Sequence, residues 1–316
     1  MKLRIVFMGT PEFSVPALEV IHQRHSVVGV YTQPDRPLGR GLGVQSSAVK
    51  RKAIECGLPI FQPNRLADPG EFEKLSLLKA DAIVVVAYGQ ILKKNLLTSP
   101  RLGSINIHSS LLPRWRGAAP IQWALLSGDI KTGVTTMRLV EKLDAGEILL
   151  QQEMILSNED TAQTIHDRLA QMGADLILPT LEGLQDGTLE GIPQDESQVT
   201  YAHKLTKEME WLNPEWSAEV LERRVRALNP WPGTSILVGQ RLKIKKVKAH
   251  LDIQGRKGEI FQKAGMILLG TSQGSLELIG MQWDGKKEVD VSSFINGLRG
   301  RGQELPFQVS YPKNLS

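Results

Sequence analysis

The chain has 316 residues, 41% apolar and 23% charged, with a formal net charge of +4, which fits a soluble globular protein with room for two domains. No apolar stretch approaches the ~20 residues that a membrane-crossing helix needs. The single cysteine, Cys56, excludes an intrachain disulfide framework and any multi-cysteine metal site, and points to the reducing cytoplasm.

From the N-terminus, Leu3–Met8 is a short apolar run ending at Gly9. It reads as a first strand rather than a signal peptide, being too short and lacking a small-residue cleavage site. Ser14–His22 predicts a helix, with Val15, Leu18 and Ile21 on one face. Val27–Tyr31 follows as a strand, and Ala82–Ala87 is apolar throughout, the pattern of a parallel strand covered on both faces. Ser104–His108 is a short strand, and Ile121–Leu126 a helix between Pro120 and Gly128. Strand and helix alternation predicts an α/β, Rossmann-like, doubly wound sheet over residues 1–195. The loop Gly9-Thr10-Pro11-Glu12-Phe13 keeps one glycine of a dinucleotide fingerprint, and Pro11 removes a donor, so no NAD dependence is expected. A phosphate-cradling loop for ATP is missing too.

After residue 195 the pattern changes. The polar stretch 196–210 reads as a linker. Ala218, Leu221, Val225 and Leu228 lie at helical spacing, with Arg223, Arg224 and Arg226 expected to turn away. Ser235–Val238, Leu242–Ala249, Met266–Gly270 and Ser275–Met281 are strand-like, separated by glycine turns, and predict a small OB-like β-barrel over 211–316. Residues 207–316 carry 17 Lys+Arg against 12 Asp+Glu, while the whole chain carries 38 against 34. The positive excess therefore lies in the C-terminal third, as a polyanion-binding domain would have it, although an ordinary solvated surface gives the same count.

The chemistry centres on Ser104 to Gly117. Alternate strand residues share a face, so Ile105 and Ile107 point into one layer while Asn106 and His108 point together from the other, near the carboxyl end where open α/β sheets bind ligands. An amide beside an imidazole polarises a carbonyl and stabilises an oxyanion. Asp144, in Leu143-Asp144-Ala145-Gly146, is the candidate carboxylate to orient His108 and accept a proton. A polar pair capping a strand is the alternative. No serine elbow is present, so direct attack by a substrate amine is the simplest scheme. Trp123 reads as core, Trp231 between prolines as a packing anchor, and His22 and His25 lack a third metal ligand.

The run His108-Ser109-Ser110-Leu111-Leu112-Pro113 with Arg116-Gly117, preceded by Asn106 and followed by Leu143-Asp144-Ala145-Gly146, resembles the formyltransferases that use 10-formyltetrahydrofolate. The resemblance implies a catalytic trio of Asn106, His108 and Asp144. It also implies folate contacts from Ser110, Leu111, Leu112 and Pro113 and from Tyr88, Gly89, Gln90 and Ile91. Phe7–Phe13, Thr32–Gly41 and Ala227–Gly233 are similar to the methionyl-tRNA formyltransferases within that superfamily. This implies formylation of methionyl-initiator tRNA for translation initiation, with no metal, no membrane and a monomeric enzyme. After Gly41 the lysines common in that family are replaced by Leu42-Gly43-Val44-Gln45-Ser46-Ser47. The basic candidates for tRNA are then Arg36, Arg40, Lys50 and Arg51, together with Lys243, Lys245, Lys246 and Lys248 on the basic domain. An amine formyltransferase with a sugar-nucleotide or glycinamide ribonucleotide acceptor, a hydrolase releasing formate from the same donor, and an RNA-binding module on an inactive scaffold are the competing readings.

Overall fold

A computed structural model describes residues 1–38, 43–68, 70–299 and 305–310. The chain forms two compact units. The first comprises Met1–Pro120, Lys131–Leu156 and Gln163–Ala202; the second comprises Ile121–Ile130, Ser157–Ala162 and the chain from His203 onward. Among the described residues no helix is long and apolar enough to cross a membrane.

In chain order the elements up to residue 202 are β1 (Arg4–Gly9), α1 (Val15–Arg24), β2 (Ser26–Tyr31), β3 (Arg36–Leu38), β4 (Gly43–Gln45), α2 (Ala48–Glu55), β5 (Ile60–Phe61), α3 (Glu71–Leu77) and β6 (Ala82–Val86). These are followed by α4 (Lys94–Leu97), β7 (Ser104–His108), β8 (Arg116–Gly117), α5 (Pro120–Ser127), β9 (Lys131–Arg138), β10 (Ile148–Ile155), α6 (Ala162–Asp186) and β11 (Tyr201–Ala202). Seven strands make one sheet in the order β10-β9-β7-β6-β1-β2-β5. The strands from β7 to β5 run parallel, β9 adds antiparallel to β7, and β10 adds antiparallel to β9. Every residue of β6 is buried, as are Ile5, Val6, Phe7 and Met8 of β1, so their unbroken apolar runs reflect helices on both faces.

The 25-residue helix α6 has no counterpart in the expected elements. It packs on the sheet where β7 presents Ile107: a Cβ placed on Gly173 of α6 would lie 2.7 Å from Ile107 Cγ2. Glycine lets the helix approach that closely, and it fixes which way β7 faces. The apolar run at residues 137–140 straddles the end of β9, whose threonines at 132, 135 and 136 supply its β propensity.

Strand order reverses at β1, which lies between β2 and β6. The loops leaving β1, β6 and β7 therefore gather at one carboxyl edge, the ligand edge of such sheets. Ser14 Oγ donates to the Val86 carbonyl at 2.6 Å, and Thr10 Oγ1 to the Tyr88 carbonyl at 3.0 Å. The β1 loop thus supports the β6 loop rather than presenting a phosphate cradle.

The second unit contains α7 (Ala218–Leu228), β12 (Ser235–Val238), β13 (Gln240–His250), β14 (Glu259–Lys263), β15 (Met266–Gly270), β16 (Ser275–Trp283), β17 (Glu288–Val289), α8 (Val291–Arg299) and β18 (Phe307–Gln308). The antiparallel path is β12-β13-β16-β15-β14-β18. Its core joins Leu221 and Val225 of α7 to Ile236, Leu242, Ile244, Leu276, Leu278 and Met281. The expected small barrel takes the form of this antiparallel sheet, with an isolated bridge between Leu237 of β12 and Ser310 just after β18. In the β14–β15 hairpin, Ala264 and Gly265 both have positive φ, the requirement of a two-residue primed turn.

Two expectations fail here. Arg223, Arg224 and Arg226 do not turn away to solvent: all three are half-buried. Arg224 lies over the Trp216 ring at 4.5 Å and donates to the Met209 carbonyl, and Arg226 donates to the Asp160 carbonyl. Long aliphatic stems let arginine cover apolar surface while its head finds a carbonyl. Trp231 is 51% exposed, so the flanking prolines hold it out rather than anchoring it.

Candidate active site

β7 pairs with β6 on one side and β9 on the other, with Asn106 opposite Val85 and Met137, and His108 opposite Thr135. Double pairing fixes the strand, and the two-residue period places Asn106 and His108 on one face. Both are buried. His108 Nε2 lies 2.9 Å from the Trp115 carbonyl oxygen. A carbonyl only accepts, so Nε2 carries a hydrogen and Nδ1 is the nitrogen left for a reacting group. Nδ1 faces Asp144 Oδ2 at 3.8 Å, too far for a hydrogen bond but close enough that a proton on Nδ1 would face the carboxylate. The Asn106 amide has no hydrogen-bond partner among the described residues.

Asp144 is held from two directions. Its Oδ2 accepts the Gly117 N–H at 2.9 Å. Its backbone has φ 46°, a left-handed conformation that persists only where the surroundings impose it. Gly117 has φ 123°, and a Cβ there would lie 2.6 Å from the Ala202 carbonyl oxygen, so position 117 excludes a side chain. β8 pairs with β11, and Trp115 N–H donates to Thr200 Oγ1.

The loop after β7 is tied down by β9 and β10. Thr135 Oγ1 donates to the Ser110 carbonyl at 2.7 Å and accepts the Leu112 N–H at 3.1 Å, while Gln151 Nε2 donates to the Leu112 carbonyl. Ser110 and Leu112 are thereby buried, and Leu111 and Pro113 are half-exposed. In the loop after β6 the Tyr88 side chain packs into the core, where burial pushes its hydroxyl pKa up. Tyr88 thus offers only backbone to a ligand. Gly89 and Ile91 are exposed, and Gln90 is turned back to Leu66 and Pro63. Among the described residues no group of three or more His, Cys, Asp or Glu side chains stands where it would hold a metal.

A formyl transferase family model matches residues 2–181, and a formyl transferase C-terminal domain model matches 204–299. The methionyl-tRNA formyltransferase of Methylococcus capsulatus is 46% identical over 307 residues, covering 96% of this chain and 99% of the relative. The chain belongs to the methionyl-tRNA formyltransferases. The fold is shared with solved structures at much lower identity. One is an N-formyltransferase from Helicobacter canadensis in complex with folinic acid and dTDP-3-aminofucose (16% identity, TM-score 0.67, covering 87% of this chain and 98% of that one). Another is HypX from Aquifex aeolicus in complex with tetrahydrofolic acid (16%, TM-score 0.65, 99% of this chain), of which the chain spans about half, 51%.

The basic candidates of this formyl transferase differ in availability. Lys50 is 2.5 Å from Asp35, which it holds below the usual carboxylate pKa range together with Gln62. Arg51 pairs with Glu12 at 2.6 Å and donates to the Ser46 carbonyl. Arg36 is exposed, with one long contact to Gln33 at 3.4 Å. Arg40 lies outside the described residues, as does Leu42. In the second unit, Lys243 and Lys245 share the outer face of β13, with Lys243 paired to Asp284 at 2.9 Å. A register shift in the β13–β16 ladder falls around Lys246, and Lys246 and Lys248 are exposed.

Sequence reasoning missed the residues that hold the site's frame. Arg116 is fully buried. Its Nε donates to Gln194 Oε1 and its Nη2 to Glu196 Oε1, each at 3.0 Å. Lys142 donates to the other Glu196 oxygen at 2.8 Å, and the two cations, Lys142 first, hold the Glu196 carboxyl below its usual range. The signal available was an arginine next to a glycine in the motif loop, since an arginine that becomes buried requires an acceptor somewhere in the chain.

Proposed function

We propose that this enzyme transfers the formyl group of 10-formyltetrahydrofolate to the α-amino group of methionyl-initiator tRNA, with Asn106, His108 and Asp144 as its catalytic residues. The observation that carries this reading is the convergence of Asn106, His108 and Asp144 at the carboxyl end of β7, in a chain 46% identical to a methionyl-tRNA formyltransferase over nearly its whole length.

The residues at this edge fit a folate donor. Exposed Ala87, Gly89 and Ile91 offer main chain and an apolar side chain to a flat heterocycle. The 110–113 loop, fixed by Thr135 and Gln151, offers Leu111 and Pro113. When bound, the donor supplies an activated formyl carbon and departs as tetrahydrofolate. Asn106 donates its amide hydrogens toward the formyl oxygen, where negative charge develops, and His108 Nδ1 does the same when protonated. Asp144 orients His108 and receives the proton that the attacking amine loses, and one proton passes to N10 of the donor as its bond to the formyl carbon breaks and tetrahydrofolate leaves. The His108 Nε2–Trp115 bond keeps the imidazole from turning during these steps.

The C-terminal unit binds the tRNA through phosphate contacts centred on Lys246 and Lys248, with Arg36 contributing from the first unit. The enzyme acts as a cytoplasmic monomer and uses neither a metal nor NAD.

A transfer assay with 10-formyltetrahydrofolate tests the reading by offering charged initiator tRNA, free methionine and an amino-sugar nucleotide as acceptors. Formylation of the charged tRNA alone is expected. Transfer to the sugar, or formate release with no formylated acceptor, would overturn the acceptor assignment.

A further inference from the structure

Residues 182–203 lie between the two family matches, yet Gln194 from this stretch reaches the loop that carries Asp144. Its amide nitrogen donates one hydrogen to the Asp144 carbonyl and the other to the Gly146 carbonyl, both at 2.8 Å. Its amide oxygen accepts from Arg116 Nε at 3.0 Å. A primary amide has two donors and one acceptor group, and here both kinds are used. The orientation of the amide is therefore set by chemistry: reversing it would aim the nitrogen at a guanidinium and the oxygen at two carbonyls.

The clamp acts where the backbone needs it. Asp144 is left-handed at φ 46°, a conformation that residues with a side chain adopt far less readily than glycine does. Gly146 packs so closely on the Arg138 carbonyl that a Cβ there would fall on it, and within the turn Ala145 N–H donates to the Lys142 carbonyl at a long 3.3 Å. The same guanidinium that orients Gln194 sits on β8, next to the Gly117 N–H that holds the Asp144 carboxylate. Gln194 and Arg116 therefore fix the main chain and side chain of Asp144 relative to one another.

We propose that Gln194 is a positioning residue for the transfer reaction: it holds the Asp144 main chain so that the carboxylate faces His108. The proposal rests on the reading of Asp144 as catalytic. The discriminating variant is Gln194→Glu, which keeps an acceptor for Arg116 and loses both donors to the carbonyls. It is compared with Asp144→Asn and with the double variant, in full-length protein.

Gln194→Glu is expected to lower kcat by roughly 10- to 100-fold, the cost of a small misplacement in a preorganised site. KM for donor and for charged tRNA should stay within about twofold, and the thermal midpoint should stay close to that of the unaltered enzyme. Amide hydrogen exchange in the 142–146 turn should quicken while exchange in the sheet does not. Because both residues act as one unit, the double variant should fall no more than about threefold below Asp144→Asn. A kcat within about threefold of the unaltered enzyme, losses that multiply in the double variant, or a rise in KM in place of a fall in kcat would each overturn the proposal. Full turnover in Asp144→Asn would instead remove the catalytic reading of Asp144. Should Gln194→Glu lower the thermal midpoint substantially, Gln194→Met, which keeps side-chain length and removes both hydrogen-bonding functions, is put through the same cycle with the same outcomes.

Discussion

The carboxyl edge of the parallel sheet and the antiparallel C-terminal sheet are built to different tolerances. Among the described residues, five non-glycine residues have positive φ; Ala87, Trp115 and Asp144 stand at the carboxyl edge of the first sheet, whereas the second unit has Ala264, in a hairpin turn. Around Asp144 each strained residue is held by named partners: Gly117, Gln194, Arg116 and the β8–β11 pairing. The C-terminal sheet carries antiparallel ladders, interrupted by a register shift around Lys246, with lysines spread along the outside of β13. Strain at one place is the mark of chemistry that needs atoms held in position, while spread charge suits a partner bound through many phosphates. Losses should therefore be steep and specific in the first region, shallow and additive in the second.

The steepest losses belong to the trio. Asn106→Ala, His108→Ala and Asp144→Ala should each lower kcat by about 100- to 1000-fold with little change in thermal midpoint, checked by steady-state kinetics and thermal melting on the same preparations. Next comes Gly117→Ala, which brings a Cβ against the Ala202 carbonyl at an already left-handed backbone. About 1–3 kcal/mol of stability should be lost, measured by denaturant unfolding, together with a fall in kcat as the N–H moves off Asp144. A Gly117→Ala enzyme of unchanged stability would show that the edge is less constrained than its geometry implies.

Much of this contrast was legible in the sequence. The apolar runs of β1 and β6 and the two-residue period of β7 carry their own facing, because a parallel strand covered on both sides leaves no polar positions. The shared facing of Asn106 and His108 was legible for a similar reason, since they interrupt the apolar positions of β7 on one face only. The second unit's hairpins were marked by glycine turns at 239, 265, 274 and 285, all of positive φ in the structure. The helix α6 was present as a period, with Ile165, Leu169, Ile177, Leu181 and Leu184 all buried, but Gly173 and Pro179 interrupt it, and both normally argue against a helix. The Gln194 clamp was not legible. Its partners are 78, 50 and 48 residues away in sequence, and no local pattern marks a glutamine that folds back to a distant loop. The half-buried arginines of α7 were misread because amphipathic spacing reports only which face is apolar and says nothing of carbonyls waiting beside the other.

Smaller effects sharpen the second half of the comparison. Lys246→Ala and Lys248→Ala should each weaken tRNA binding by a few-fold and lower the slope of log affinity against log salt by about 1, leaving kcat at saturating tRNA unchanged. Smallest of all should be Lys50→Ala, because its ammonium is already committed to Asp35. Arg36→Ala, removing an exposed guanidinium, should raise KM for tRNA more than Lys50→Ala does. The reverse order would mean that the Asp35–Lys50 pair opens on binding.

The most direct test of the division of labour is a paired measurement of single-turnover formyl transfer at saturating substrates and of the tRNA dissociation constant, made on His108→Ala and on the combined Lys246→Ala, Lys248→Ala variant. The account predicts that His108→Ala loses at least about 100-fold in rate with unchanged tRNA affinity, while the lysine variant loses affinity at an unchanged rate. A His108→Ala enzyme that keeps its rate, or that loses affinity in proportion to rate, would contradict it.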